Sequence, residues 1–479
     1  MCQLLNLYFK NFGPVKEAEI DLRPLTIFVG PNNTGKTYTA YYIWALGALE
    51  YRYDPLFFTK EPPLDRQCIE YLRTHFLKPL KKSNEIKFSL IDYANSECLN
   101  SFIAESCQYM TKTFFSSIMA VGTRLKNLQK NFQAKLELNS KRLNQKIGET
   151  KFNFKVRIGP LQNVNIQKET NKTYIIVKLG EAIDGKRFRK GSKKETEVLT
   201  HAYFLLSNIL FLYFFRKSTV IPAERTALTV AFKDIYQLRA EETFRNRFQP
   251  EKFSKYPIPV RSFLNFMYRL LETGKTQSFS EVVSYLEKKV IGGKIELERV
   301  KGIPFPSIYY TFPQGKMEIH SASSGIKAIT PLLLFFERAR PEELLIIDEP
   351  EINLHPKAQL KLMEALTMAV NKGLYIIIST HTPYLVDHLN NLMKAYTVYK
   401  KIGNKVKKLL DEFDIPLDSL ISPKNVSVYL FKTDGKVENI LDREAAFIDW
   451  KTFGEVTMDL ETISARLEEF EKSEFEEVE

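Results

Sequence analysis

The stretch Gly30-Pro31-Asn32-Asn33-Thr34-Gly35-Lys36-Thr37 lies between a β-branched and aromatic run, LTIFVG, and a run of helix length, KTYTAYYIWALGALE. The spacing G-x-x-x-x-G-K-[ST] between a strand and a helix is that of a loop wrapped around an anion. Glycines let successive backbone N–H groups turn inward, and the helix N-terminus adds its positive end. Lys36 is then placed to reach the outer phosphates of a nucleotide, and the Thr37 hydroxyl to enter the shell of a Mg²⁺ ion. Gly30, Asn32, Asn33, Thr34, Gly35, Lys36, Thr37 and Tyr38 are therefore expected to hold ATP.

A second segment supplies the carboxylates that such a loop needs. Leu344-Leu345-Ile346-Ile347 is a continuous apolar run of strand length, as in parallel strands buried on both faces. It leads into Asp348-Glu349-Pro350, so two acids stand at the carboxyl edge of a sheet, where α/β folds bind ligands. Asp348 is expected to hold Mg²⁺ with Thr37, and Glu349 to polarise the attacking water as general base. Read alone, the segment is equally a strand leaving into a polar turn.

Two further segments refine the reading. In His320-Ser321-Ala322-Ser323-Ser324-Gly325, a serine pair and a glycine precede an amphipathic run, IKAITPLLLFFERA. Ser323, Ser324 and Gly325 would aim hydroxyls and N–H groups outward from a helix start, a second anion cradle, although a capped helix after a turn has the same residues. The Lys36 loop already holds one triphosphate, so a second cradle needs another. His381 ends the apolar run YIIIST, 32 residues beyond Glu349. An imidazole there could touch the γ-phosphate and link Glu349 to water, or serve a structural role as lone histidines often do.

GPNNTGKT, SASSG, LLIIDEPEINLHPKAQ and IIISTHTPYL together resemble the ABC-type P-loop ATPases of the SMC/RecF/OLD group, most of all the AAA-15/AAA-21-type members of prokaryotic anti-phage defence systems. The resemblance covers residues 1 to 50 and about 294 to 400. It implies an α/β head with a mixed sheet and helices, Lys36, Glu349 and His381 as catalytic residues, and a homodimer with ATP between the subunits. There Ser323, Ser324 and Gly325 would form the signature motif that meets the partner's nucleotide. Residues 352 to 359 would form the D-loop, with His355 near the dimer seam. Pro222-Ala223-Glu224-Arg225 resembles a nucleotide-sensing segment, but fits a buried strand ending in an ion-paired arginine equally well. OLD nucleases add a metal-binding Toprim domain. The acids after His388 (Asp411, Glu412, Asp414) show no D-x-D pattern, so nuclease activity is expected from a separately encoded effector. A RecF-like DNA-repair ATPase is the alternative. A transporter subunit is disfavoured, because that family keeps Walker A and signature about a hundred residues apart, whereas nearly three hundred separate Gly30 from Ser323.

The remaining chain divides by composition. Residues 1–54 carry Walker A, 55–217 form a largely helical insert interrupted by strand-like pieces such as KFNFKVRI and KTYIIVKL, 218–293 return to the head, 294–440 carry the other motifs, and 441–479 form an acidic tail. Residues 121–200 hold 19 Lys/Arg against 7 Asp/Glu, an excess equal to the net +12 of the whole chain. This segment, with Phe132, Phe152 and Phe154, is a candidate nucleic-acid contact or a solvated face. Residues 455–479 hold 10 acids against 2 bases and read as a short amphipathic helix with a frayed end, for which docking on a basic surface of its own or a partner subunit is one alternative. No sustained heptads mark a coiled coil. The longest apolar run, residues 202 to 215, is too short to cross a bilayer. Four cysteines without C-x-x-C spacing and a start lacking a signal-peptide pattern fit a cytoplasmic protein.

Overall fold

The computed structural model describes residues 5–47, 66–114, 119, 131–181, 183, 188–212, 217–245, 256–299, 306–450, 462, 463 and 466. A six-stranded sheet runs through the head in the order Val437–Asn439, Val426–Phe431, Leu25–Val29, Tyr375–Thr380, Leu344–Asp348, Ser218–Ile221. Five strands are parallel and Val437–Asn439 is antiparallel. Every residue of the five parallel strands is buried, as unbroken Leu/Ile/Val runs require when both faces are covered.

Because side chains alternate along a strand, the sheet divides its apolar residues between two cores. Phe28, Ile346, Ile377 and Phe431 face the core shared with the helix Lys36–Gly47, the N-terminal strands and the insert. Ile27, Val29, Ile347, Ile378 and Val428 face the other core, with the helices Ser324–Phe336 and Pro356–Asn371. The helix Lys36–Gly47 is buried along nearly its whole length. That burial explains its Tyr, Ile and Trp content without an amphipathic stripe.

The insert holds more strand than its composition suggests. Besides helices such as Glu97–Thr113 and Lys193–Leu212, it contains an antiparallel sheet in the order Glu85–Ser89, Tyr174–Lys178, Leu161–Lys168, Phe152–Ile158. The strand Gln133–Leu138 pairs with Leu5–Phe12, which pairs in turn with Val15–Leu22. Insert and head therefore share a sheet. The apolar run from 202 lies in the helix Lys193–Leu212, with Ala202, Tyr203, Leu206 and Leu210 in the core; residues 213–215 lie outside the described residues. No helix among the described residues is long and apolar enough to cross a membrane. Cys68, Cys98 and Cys107 are buried.

Candidate nucleotide site

The parallel strands all end at one edge, and register decides which residues meet there. Asp348 pairs with Ser379, and Thr380 with Val29, so the ends of the three strands carrying Gly30, Glu349 and His381 stand side by side. Gly30 follows Val29 with φ +133°, and a Cβ on it would lie 2.3 Å from the Phe431 carbonyl oxygen. Gly35, at φ +98°, would place its Cβ 2.7 Å from Val15 Cγ2. Both glycines are required by close approach, not only by turn geometry. Asn33 also takes a left-handed φ of 62°, which Asn tolerates better than most residues.

Lys36 is buried, and its Nζ donates to the Gly30 and Pro31 carbonyls at 2.9 and 2.7 Å. Burial pulls its ammonium down to about 8, against the opposing pull of Asp348, Glu349 and Glu351. The Thr37 hydroxyl lies 3.0 and 3.2 Å from the two Asp348 carboxylate oxygens. Ser379 Oγ also donates to that carboxylate, and Tyr41 OH does so at 3.4 Å. Burial raises Asp348 above the usual carboxylate range, with the Ser379 and Thr37 hydroxyls acting in the opposite direction. The Asp348 carboxylate takes its hydrogen bonds from hydroxyls, and its hard oxygen donors together with Thr37 suit Mg²⁺.

Glu349 and His381 meet at 3.3 Å through Oε1 and Nε2. The His381 hydrogen bond is the largest influence holding the Glu349 carboxyl below its ordinary range. Glu349 sits at φ 48°, a costly conformation for a non-glycine residue that persists only where neighbours enforce it. Here its N–H donates to Ser379 O at 2.9 Å, and its carbonyl accepts from Arg225 at 2.9 Å and from Ile352 N at 3.1 Å. Thr34, Gly35, Lys36, Thr37, Tyr38, Asn32 and Asn33 line one cavity of about 610 Å³ with Gly13, Pro14, Glu349 and His381. Asn32 to Tyr38 thus share one chamber with Glu349 and His381.

Ser323, Ser324 and Gly325 do not line that chamber. Ser323 caps the helix Ser324–Phe336, its Oγ accepting from Ile326 N at 3.4 Å, and both serines are exposed. Gly325 packs tightly on the turn after Walker B, where a Cβ would lie 3.0 Å from Asn353 O. His355 is exposed and caps the helix Pro356–Asn371.

Arg225 is buried but meets carbonyls instead of the carboxylate that an ion pair needs. Its guanidinium donates to Pro222 O at 3.3 Å, Asp348 O and Glu349 O at 2.9 Å, and Pro350 O and Ala328 O at 3.1 Å. It joins the helix Ser324–Phe336 to the turn after Asp348 within one chain. Ser379, Tyr41 and Glu351 are further site residues that motif reading passed over. Ser379 was signalled by its place two residues before His381, and Glu351 by the second glutamate of D-E-P-E. Tyr41 has no comparable signal.

The basic insert is partly committed to structure. Arg142 lies over the Tyr375 ring at 5.2 Å, and Lys168 donates to Thr150 O and Glu169 O at 2.8 and 3.2 Å. Phe132 is not free to stack on a base. It is buried among Phe9, Phe12 and Tyr42, with ring centroids 4.6 Å from Phe12. Phe152 and Phe154 are half-buried against the core. Lys151, Lys155 and Arg157 do share an exposed face at the edge strand Phe152–Ile158. Much of the basic run (residues 120–130 and 184–187) and most of the acidic tail lie outside the described residues. Asp414 ion-pairs with Lys289 and Lys361 at 2.7 and 3.4 Å.

A family described as the AAA ATPase domain matches residues 3–386 of the chain. The chain belongs to this family. This AAA ATPase is also 31% identical to the Old nuclease of Escherichia phage P2 over 228 residues, 40% of the chain and 38% of that protein. It thus spans about two fifths of the length of the curated relative it matches. Among solved structures, similarity extends to an Smc head bound to the C-winged helix domain of ScpA (12% identity, TM-score 0.35, 93% of this chain and 100% of the other). A Pyrococcus furiosus Smc head with an extended coiled coil gives 13%, 0.35, 95% and 100%. TM-scores this low leave the assignment to the family match and to the site. With Walker A, Walker B and His381 at one sheet edge, the AAA ATPase carries the site of a P-loop ATPase.

Proposed function

We propose that two copies of this chain close on ATP, hydrolyse it, and control a separately encoded effector, such as a nuclease, in cytoplasmic anti-phage defence. One observation carries the dimer. The exposed serines at the start of the helix Ser324–Phe336 stand outside the chamber lined by Lys36, Glu349 and His381 of the same chain. A helix start that exposes two serines is an anion cradle, and a second copy would bring its triphosphate to it.

Within one site, the loop N–H groups and Lys36 would hold the phosphates, while Thr37 and Asp348 would hold Mg²⁺, which supplies charge neutralisation on the phosphate oxygens. Glu349, kept ionised by His381, takes the proton of the attacking water as its oxygen bonds to the γ-phosphorus and the bond to the ADP oxygen breaks. His381 shares the charge that Glu349 acquires or loses. The link to defence rests on the family resemblance, and the link to a nuclease on the Old nuclease relative.

The test is subunit mixing. Lys36→Ala should abolish ATP binding and turnover, and Ser323→Arg should abolish turnover alone. Mixed in equal amounts, the two variants should recover part of the wild-type rate, because some dimers then hold one intact composite site. No recovery, or a Lys36→Ala variant that turns over ATP like wild type, overturns the reading. A DNA-repair role is the second reading, favoured by the exposed Lys151, Lys155 and Arg157. It requires DNA binding that weakens steeply with salt, and loss of that binding when the three are replaced.

A further inference from the structure

Glu351 stands two residues beyond the general base, and its carboxylate grips the end of the neighbouring strand. Oε1 accepts from the Thr380 hydroxyl at 2.7 Å and from the His381 backbone N–H at 3.0 Å. That N–H lies past the last register pair, Thr380 with Val29, so Glu351 supplies the acceptor that the sheet no longer provides. The Thr380 hydroxyl in turn accepts from Thr382 N at 3.1 Å, and Thr382 caps the helix Pro383–Ile402. On its own side, the Glu351 carbonyl accepts from Leu354 N at 3.0 Å, closing the turn that carries Asn353 onto Gly325.

We propose that Glu351 is a positioning residue for hydrolysis, holding the His381 main chain so that its imidazole stays on Glu349. The inference rests on the reading of Glu349 and His381 as the hydrolytic pair. Only two side-chain torsions separate the imidazole from its backbone, so the ring goes where the main chain goes. A bond from N–H to a carboxylate is roughly twice as strong as one to a neutral acceptor, which suits a strand end with no further ladder bond. Displacement of a reacting group by about 1 Å can cost on the order of a hundredfold in rate.

The experiment measures ATP turnover and ATP affinity of the full chain for Glu351→Ala, Glu351→Asp, Glu351→Gln and His381→Ala, and for the Glu351→Ala/His381→Ala pair. Glu351→Ala should lower kcat by on the order of a hundredfold while leaving the Kd for ATP nearly unchanged. Glu351→Gln keeps the acceptor at full reach and should recover most of the rate. Glu351→Asp keeps the charge but falls one methylene short, and should not. Once His381 is gone, removing Glu351 should cost little more, as for residues that act as a unit. Equal losses from Glu351→Ala in both backgrounds, or a Gln variant no faster than the Asp variant, overturn the inference. If Glu351→Ala does not fold, the order of Gln over Asp decides alone. A His381→Ala variant as fast as wild type removes the underlying reading instead, which keeps the two failures distinct.

Discussion

Arg225 offers the sharpest check on how the site is held. Its five hydrogen bonds reach backbone carbonyls in three places: its own turn at Pro222, the helix Ser324–Phe336 at Ala328, and the strand end and turn at Asp348, Glu349 and Pro350. Burial lowers its guanidinium to about 10, so it stays charged at neutral pH. An ammonium has at most three donors and no planar fork, so Arg225→Lys strands at least two of the five acceptors. At about 1–3 kcal/mol for each buried polar group left unmade, and with some relief from water entry, the loss should be about 2–4 kcal/mol. A chain of this size need not unfold in one step, so the informative assay is hydrogen exchange read peptide by peptide. The amides of Glu349 and Ile352 and the first turns of the helix Ser324–Phe336 should lose protection together. The rate of ATP turnover should fall at the same time, because the left-handed backbone of Glu349 loses one of its three restraints. Unchanged protection, or loss confined to one of the two segments, would refute the idea that the guanidinium joins them.

Two more substitutions test the chamber. Gly30→Ala combines φ +133° with a Cβ 2.3 Å from Phe431 O; strain of about 1–3 kcal/mol plus the clash should lower the thermal midpoint and weaken ATP binding at least about tenfold, read by calorimetry. Glu349→Gln keeps the shape of the site and loses the base, so turnover should drop by about 10² to 10⁴ while ATP stays bound, measured in a single-turnover assay with labelled ATP.

The chamber was legible because its parts are contiguous motifs tied to strand ends: Gly30 to Tyr38 after LTIFV, Asp348 and Glu349 after LLII, His381 after YIIIST. Contacts between side chains and distant backbone carry no such code. The residues facing Arg225 are carbonyls that any sequence possesses, which left its ion pair with a carboxylate as an equal reading. The insert was harder for a different reason. Leu161–Lys168 and Gln133–Leu138 bury only some of their residues, and their polar content hides a strand within a lysine-rich stretch. An aromatic among cations reads equally as a packing or a stacking residue, and in the fold Phe132 packs, completing a cluster with Phe9 and Phe12.

The pairing of Gln133–Leu138 with Leu5–Phe12 constrains how this architecture can vary. Cutting out the middle of the chain would strip one edge of the first strand and leave its N–H and C=O groups bare, a template for mispairing. Shortening, exchange or repurposing of the insert must therefore spare one six-residue ribbon, whatever else around it is rewritten.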